Sequence, residues 1–416
     1  FETPHIDRLA ASGMKFTNAY AACPVCSPTR ASILTGRYPP RYNVTDWLPG
    51  RKDMSSQKLL RPQIAQQLSL DEITIAKALK PAGYVSASIG KWHLGGPDFT
   101  PDKHGFDLNV GGTQTGSPPG GYFKFKTPTM TARDENEYLT DRLTDEALGF
   151  IEKNKDRPFF LYLPHYTVHI PLQAKKDLIA KYEAKAKPGQ PQHNPVYAAM
   201  IESLDESVGR LTKKLDELKI ADRTVIFFFS DNGGLSVKEG AFTPATSNAP
   251  LRAGKGYLYE GGIREPCIVR WPGATKPGSV CDTPVISVDF FPTILEMAGA
   301  KPPENRPIDG VSLTSLLKQA GDLKPRELYW HYPHYSNQGG KPSGAVRAGD
   351  WKLIEFYEDG KRELYNLKDD IGEQKDLAAT MPDRAKELQQ KLVEWRKAVN
   401  ARMPTPNPDY KPAEKP

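Results

Sequence analysis

A chain of 416 residues, 25% of them charged and 38% hydrophobic, is long enough to bury one large core and a smaller one. Its formal charge of +6 is the balance of 56 basic and 50 acidic residues that are interspersed along the chain, which leaves no polybasic stripe and excludes nucleic acid as a partner. Apolar runs such as residues 225–229 are far short of the roughly 18 residues a membrane span needs, so no membrane-spanning helix is expected.

Phe1 is not an initiator methionine, and no charged-then-apolar leader precedes Pro4, so the chain reads as beginning inside a longer protein. The first sharp feature is Cys26-Ser27-Pro28-Thr29-Arg30, followed by Ala31-Ser32-Ile33-Leu34-Thr35-Gly36. Ser27 suits an N-cap, Pro28 the first helical position and Gly36 a C-cap, which puts Cys26 at a helix N-terminus. Free N–H groups and the positive end of the helix dipole favour an anion there, and Arg30 lies one turn along on the same side. A cysteine so placed is either a low-pKa nucleophile or a buried thiol beside a capped helix.

Apolar strand-like runs then alternate with helical patterns. Residues 84–89, 159–163, 224–229 and 267–270 read as short strands rich in β-branched or aromatic residues, each closed by glycine, proline or Asp-Asn-Gly. Residues 73–80, 138–154 and 196–218 repeat apolar side chains at helical spacing, as in Leu139, Leu143, Ala147, Phe150 and Ile151. Strand then helix, repeated, predicts an α/β fold with a large, mostly parallel sheet flanked by helices over residues 1–325. From Leu328 the texture changes. Residues 351–357, the turn Glu358-Asp359-Gly360 and residues 362–367 form a hairpin signal, and residues 382–400 form an amphipathic helix, so residues 326–416 read as a smaller antiparallel sheet with one packed helix. The last dozen residues are proline-rich and expected to be loose.

In open α/β sheets, ligands bind beyond the carboxyl ends of the strands. Three predicted strand ends deliver polar clusters to one such rim: Gly90-Lys91-Trp92-His93, then Pro164-His165-Tyr166-Thr167-Val168-His169, then Ser230-Asp231-Asn232-Gly233. Each alone reads as packing or turn residues; their coincidence points to a site. Four cysteines, Cys23, Cys26, Cys267 and Cys281, lack zinc-site spacing. Cys267 and Cys281 either bridge, as an exported protein allows, or remain two structural thiols, and the spacing leaves both open.

Taken together, these residues resemble the type I sulfatases of the alkaline phosphatase superfamily. The match consists of Cys26, Pro28, Thr29, Arg30, Thr35 and Gly36, with Thr3-Pro4-His5-Ile6-Asp7 before them, then Gly90-Lys91-Trp92-His93, His169-Ile170-Pro171, Ser230-Asp231-Asn232-Gly233, Gly254-Lys255-Gly256 and Glu260-Gly261-Gly262, in the family's order along essentially the whole chain. The resemblance implies that a formylglycine-generating maturation enzyme oxidises Cys26 to 3-oxoalanine (formylglycine), whose hydrated form attacks sulfur through one hydroxyl and expels sulfate when the aldehyde reforms. It further implies that Asp231, Asn232 and the residue 26 oxygen bind a calcium ion (Ca2+). Arg30, Lys91 and Lys255 would hold the sulfate, His93 would take the proton of the second hydroxyl, and His169 with Lys255 would protonate the leaving alcohol. One departure stands out: family members open with a strand ending in two adjacent aspartates that complete the calcium site, so this first strand is expected upstream of Phe1. The resemblance also implies an exported enzyme, periplasmic or extracellular, acting on sulfated carbohydrate or aryl sulfates. A galactose or N-acetylgalactosamine sulfate, attacked in exo fashion, is the best match to Gly105-Phe106-Asp107 and the segment 111–116. Trp47, His165, His331 and His334 are the candidate substrate contacts, although the segment 330–338 reads equally well as an interdomain loop. Two rivals are a phosphonate monoester or phosphodiester hydrolase, which shares the fold, and a non-catalytic glycan-binding relative.

Overall fold

The computed structural model describes residues 1–187 and 189–412. Val85–Ile89 runs at the centre of a parallel three-stranded group, flanked by Leu108–Val110 and Phe159–Tyr162 with Ala87 opposite both Leu108 and Leu161. A second group has the order Ser279–Cys281, Met14–Phe16, Cys267–Arg270, Ile226–Phe229. In it Met14–Phe16 is parallel to Ser279–Cys281, while Cys267–Arg270 is antiparallel to both of its neighbours. The α/β architecture follows the predicted pattern, with parallel pairing throughout the first group and mixed pairing in the second. The two groups do not join into one sheet: Phe159–Tyr162 and Ile226–Phe229 each present a free edge, stay half-buried along all four residues, and line one cavity of about 1100 Å³. Among the described residues no strand lies between these edges to bond both.

The amphipathic stripe forms the helix Leu139–Asn154, which buries Leu139, Leu143, Ala147, Phe150 and Ile151. It packs beside Pro195–Glu217, where Pro195 takes the first turn and the Asn194 side chain accepts from the Tyr197 N–H at 3.0 Å. Asp205 of that helix is 1% exposed because its carboxylate accepts the N–H groups of His5 and Ile6 at the start of helix Pro4–Ser12, with Ile6 at 2.7 Å. This anchors the Thr3-Pro4-His5-Ile6 motif. The helix Lys176–Lys185 carries no strong apolar stripe, buries only Leu178 and Tyr182, and was not apparent from periodicity.

The C-terminal sheet is antiparallel in the order Glu327–Tyr332, Ser343–Ala348, Trp351–Phe356, Arg362–Asn366, and the helix Pro382–Ala398 lays Ala385, Leu388 and Leu392 on Val346, Leu353 and Leu364. The expected loose tail is pinned where it is described, since Thr405–Pro406 pairs with Leu59–Leu60; residues 413–416 lie outside the described residues. All four cysteines are free. Phe16 pairs with Cys267 on one side and Cys281 on the other, so a whole strand separates them by two inter-strand spacings, about 9–10 Å, which is beyond disulfide reach.

Candidate active site

Cys26 is 3% exposed and opens the helix Cys26–Thr35, with Val25 rather than Ser27 at the cap position. Ser27 instead accepts the Leu48 N–H through its hydroxyl at 3.2 Å, which draws the 45–50 loop over the helix start. Gly36 closes the helix in the left-handed conformation at φ +68°, as predicted.

Directly after Val85–Ile89, the chain turns at Gly90 and places Lys91 and His93 against Cys26. His93 has left-handed backbone (φ +58°), uncommon for a residue with a Cβ and costing on the order of 1 kcal/mol. Its N–H donates to Thr113 O at 2.9 Å, and its ring is held between Leu48 O, 2.6 Å from Nε2, and Cys26 Sγ, 3.3 Å from Nδ1. A carbonyl only accepts, so Nε2 carries a hydrogen, and Nδ1 is the ring nitrogen that faces residue 26.

Arg30 spans the pocket floor: Nε donates to Asp231 Oδ2 at 2.8 Å and Nη1 to Lys91 O at 2.7 Å. Burial raises the Cys26 thiol, but Lys91, His93 and Lys255 overcome it and bring the thiol well below its ordinary value. Burial, with Arg30 and Lys255 alongside, brings Lys91 down as well, to about 8. Asp231 is opposed by burial yet held below the usual carboxylate range by Arg30, Lys91 and Lys255. Lys255 sits on a turn tied down by its own N–H to Gly234 O at 3.2 Å and by the Gly256 N–H to Pro24 O at 2.9 Å. The structure thus gathers Cys26, Arg30, Lys91, His93, Asp231 and Lys255 from four separate segments.

His169 lines the same cavity and donates Nδ1–H to Ile170 O at 2.8 Å; burial, Lys255 and Lys91 hold its imidazole well below the usual range, so it is neutral. The substrate contacts expected from sequence do not assemble. His165 meets Ser207 Oγ at 3.1 Å inside the cavity wall, and burial brings it down to about 4. His331 is 3% exposed, with its ring nitrogens committed to the Tyr357 hydroxyl and Arg402 O, and His334 is 1% exposed against Thr45 Oγ1. Neither has surface to offer a sugar. Trp47 is half-buried and packs with the Tyr20–Trp330 cluster.

The side-chain oxygens that the resemblance assigns to calcium are those of Asp231 and Asn232. Asn232 Oδ1 is buried without a partner, which suits a cation, but Asp231 already serves Arg30 and calcium takes about six to eight oxygens. Among the described residues no group of three or more histidine, cysteine or acidic side chains is placed to hold a metal. Asp231 and Asn232 by themselves therefore do not complete the expected calcium site. No helix among the described residues is long and apolar enough to cross a membrane.

Comparison with known proteins agrees with this geometry. The sulfatase family model matches residues 1–300, and the model for the C-terminal part of N-sulphoglucosamine sulphohydrolase matches residues 253–398. A sulfatase of Formosa agariphila is 32% identical over 96% of this chain and 84% of that protein. Human N-acetylgalactosamine-6-sulfatase is 35% identical over 79% of this chain and 63% of its own length, so this chain spans less than two thirds of that relative. The solved structure of Ps i-CgsB in complex with k-i-k-neocarrahexaose superposes with a TM-score of 0.79 at 30% identity, covering 94% of this chain and 87% of that one. The chain belongs to the formylglycine-dependent sulfatase family of the alkaline phosphatase superfamily, and with it to the sulfuric ester hydrolases.

Proposed function

We propose that the protein removes sulfate from sulfated glycans in exo fashion, with a galactose or N-acetylgalactosamine sulfate as the first-choice substrate and residue 26, matured to formylglycine, as the nucleophile. The observation that carries this reading is the burial of Cys26 at a helix N-terminus against His93 Nδ1, within reach of the charges of Lys91 and Lys255. The glycan part rests on the relatives named N-acetylgalactosamine-6-sulfatase and on the structural neighbour solved with a neocarrahexaose. Such substrates fit an exported protein, periplasmic or extracellular.

Arg30, Lys91 and Lys255 supply the positive charge that binds a sulfate ester and stabilises charge growing on its oxygens in a water-poor pocket. Formylglycine at position 26 would supply a hydrated aldehyde, one hydroxyl attacking sulfur and the other letting the aldehyde reform. His93 Nδ1, the ring nitrogen that faces residue 26, accepts the proton from it. Lys255 is a better donor to the leaving alcohol than His169, because His169 is neutral and spends its one N–H on Ile170 O. Residues 1–325 act in this reading as the catalytic unit and residues 326–416 as the unit packed behind it.

The test is anion release from a panel of sulfated sugars, aryl sulfates, phosphodiesters and phosphonates, using protein co-produced with a formylglycine-generating enzyme. Sulfate release that disappears in Cys26→Ala, with the thermal transition retained, is expected; faster turnover of the phosphorus esters, or sulfate release that survives in Cys26→Ala, would overturn the reading.

A further inference from the structure

Behind the anion pocket lies a second set of charges that the chemistry above does not use. Lys352, on Trp351–Phe356, has a side chain 0% exposed, and its ammonium lies 2.8 Å from Glu260 Oε1 and 2.9 Å from Glu373 Oε1, both of those side chains also 0% exposed. Glu373 Oε2 accepts the Glu260 N–H at 2.7 Å, the Tyr20 hydroxyl donates to Glu260 Oε2 at 2.6 Å, and Arg264 approaches the same oxygen at 3.4 Å. Taking such groups out of water costs several kcal/mol per ion, and well-packed apolar side chains often serve stability as well, so stability alone is a weak reason for this cluster.

What the cluster grips is more informative. Glu260 opens the short helix Glu260–Ile263, and the two glycines after it leave no room for a side chain: a Cβ on Gly261 would meet the carbonyls of Arg252 and Ala253 at 2.5 Å, and one on Gly262 would meet Gly254 O at 2.5 Å. Gly261 N–H donates to Arg252 O at 2.9 Å, and Gly233 N–H to Gly262 O at 3.1 Å. Three backbone turns are thus wedged together: 232–234, which follows Asp231; 252–257, which carries Lys255; and 260–262. Arg252 adds a second tie, donating to Glu373 O at 2.8 Å and to the Tyr365 hydroxyl at 2.9 Å. Close-packed backbone has no slack, so a shift of Glu260 moves Lys255 and the Asp231 turn with it.

We infer that Lys352 and Glu373 are positioning residues for the anion pocket: through Glu260, the C-terminal sheet fixes where Lys255 and the Asp231–Gly233 turn stand. The proposal rests on the sulfatase reading for what those groups do, and its test separates the two. In the full chain, Lys352→Met should lower kcat/KM on a small aryl sulfate about 100-fold, the cost of misplacing reacting groups by about 1 Å. Hydrogen exchange should quicken at Gly233, Lys255, Gly256 and Gly261 while strands Ser343–Ala348 and Trp351–Phe356 keep the parent's protection. If Lys352→Met does not fold, Tyr20→Phe decides: it deletes the hydroxyl that donates to Glu260 and accepts from Arg347, and leaves Arg347 its acceptors Asn18 Oδ1 and Gly349 O; the same local pattern is expected with about a tenfold loss. Exchange and kcat/KM matching the parent in the folded variant would overturn the proposal, and so would faster exchange spread evenly over the molecule, which marks a purely structural role. A parent protein inactive on every sulfate ester would remove the sulfatase reading, while the exchange pattern would still decide whether the cluster holds the turns.

Discussion

His93 shows how much of a site can hang on one ring. Leu48 O fixes its hydrogen on Nε2, the left-handed backbone aims the ring at residue 26, and Gly116 lies flat against it, where an added Cβ would fall 2.8 Å from Nδ1 and 2.9 Å from Nε2. Gly116→Ala should therefore displace the ring rather than the core: kcat is expected to fall about tenfold or more with the melting temperature changed by no more than about 2 °C, measured on an aryl sulfate and by calorimetry. A normal rate would mean that the exposed 113–117 loop yields instead. Arg30, Lys91, His93 and Asp231 were legible in sequence because each follows a predicted strand or lies in the first turns of a predicted helix, whereas Lys255 was reached only through the family resemblance. The supports were not. Leu48 contributes a carbonyl, which every residue has, and Gly116 contributes the absence of a side chain, so neither leaves a signal that spacing can reveal. His331 and His334 misled for the opposite reason: polar and aromatic residues at a junction look like a binding loop until their burial is known.

At the scale of an element, the 45–50 loop holds the same imidazole from outside. Asp46 is fully buried on it, accepting from the Tyr332 hydroxyl at 3.0 Å and from the Trp47 N–H at 2.9 Å, with Arg51 and Arg61 nearby and a neutral His334 at 4.0 Å. Burial outweighs these donors and pushes the carboxyl up to about 7. An acid raised on folding holds its proton in the native state over a range where the unfolded chain has lost it, so its contribution is complete below the unfolded value near 4 and is lost as pH rises through about 7. The parent should lose up to about 4 kcal/mol between pH 4 and pH 8 from this group, and Asp46→Asn should flatten that slope in urea titrations at the two pH values. Equal slopes in the two proteins would show that Asp46 is ionised throughout. The elements themselves were largely readable, since the stripes of Leu139–Asn154 and Pro195–Glu217 and the hairpin after Trp351 obey simple periods. Pairing was not: Cys267–Arg270 has the same apolar texture whether it runs parallel or antiparallel, and only its neighbours decide.

Over the whole molecule, the composition change near Leu328 marks a new sheet but says nothing of how tightly that sheet is bound to the rest. The structure ties it closely. Trp330 is 1% exposed, donates Nε1–H to Ala21 O at 2.8 Å and meets Tyr20 edge to face at 5.4 Å, in a cluster that mixes Ala22, Cys23 and Val25 with Leu328, Tyr332, Ile354 and Tyr365. Lys352 crosses the same boundary to Glu260, and Thr405–Pro406 adds a strand to Leu59–Leu60. A core shared in this way cannot be divided without exposing large aromatic surface and stripping Glu260 of its cation, so the two parts should unfold together despite their different textures. Near-UV circular dichroism, far-UV circular dichroism and residual activity are expected to give one coincident transition, and a fragment ending at residue 325 should keep helical signal while binding a hydrophobic dye and lacking a cooperative melt. Two resolved transitions, with turnover surviving the first, would show instead that the C-terminal sheet is an independent unit and that the segment Cys23–Cys26 keeps its shape without Trp330 behind it.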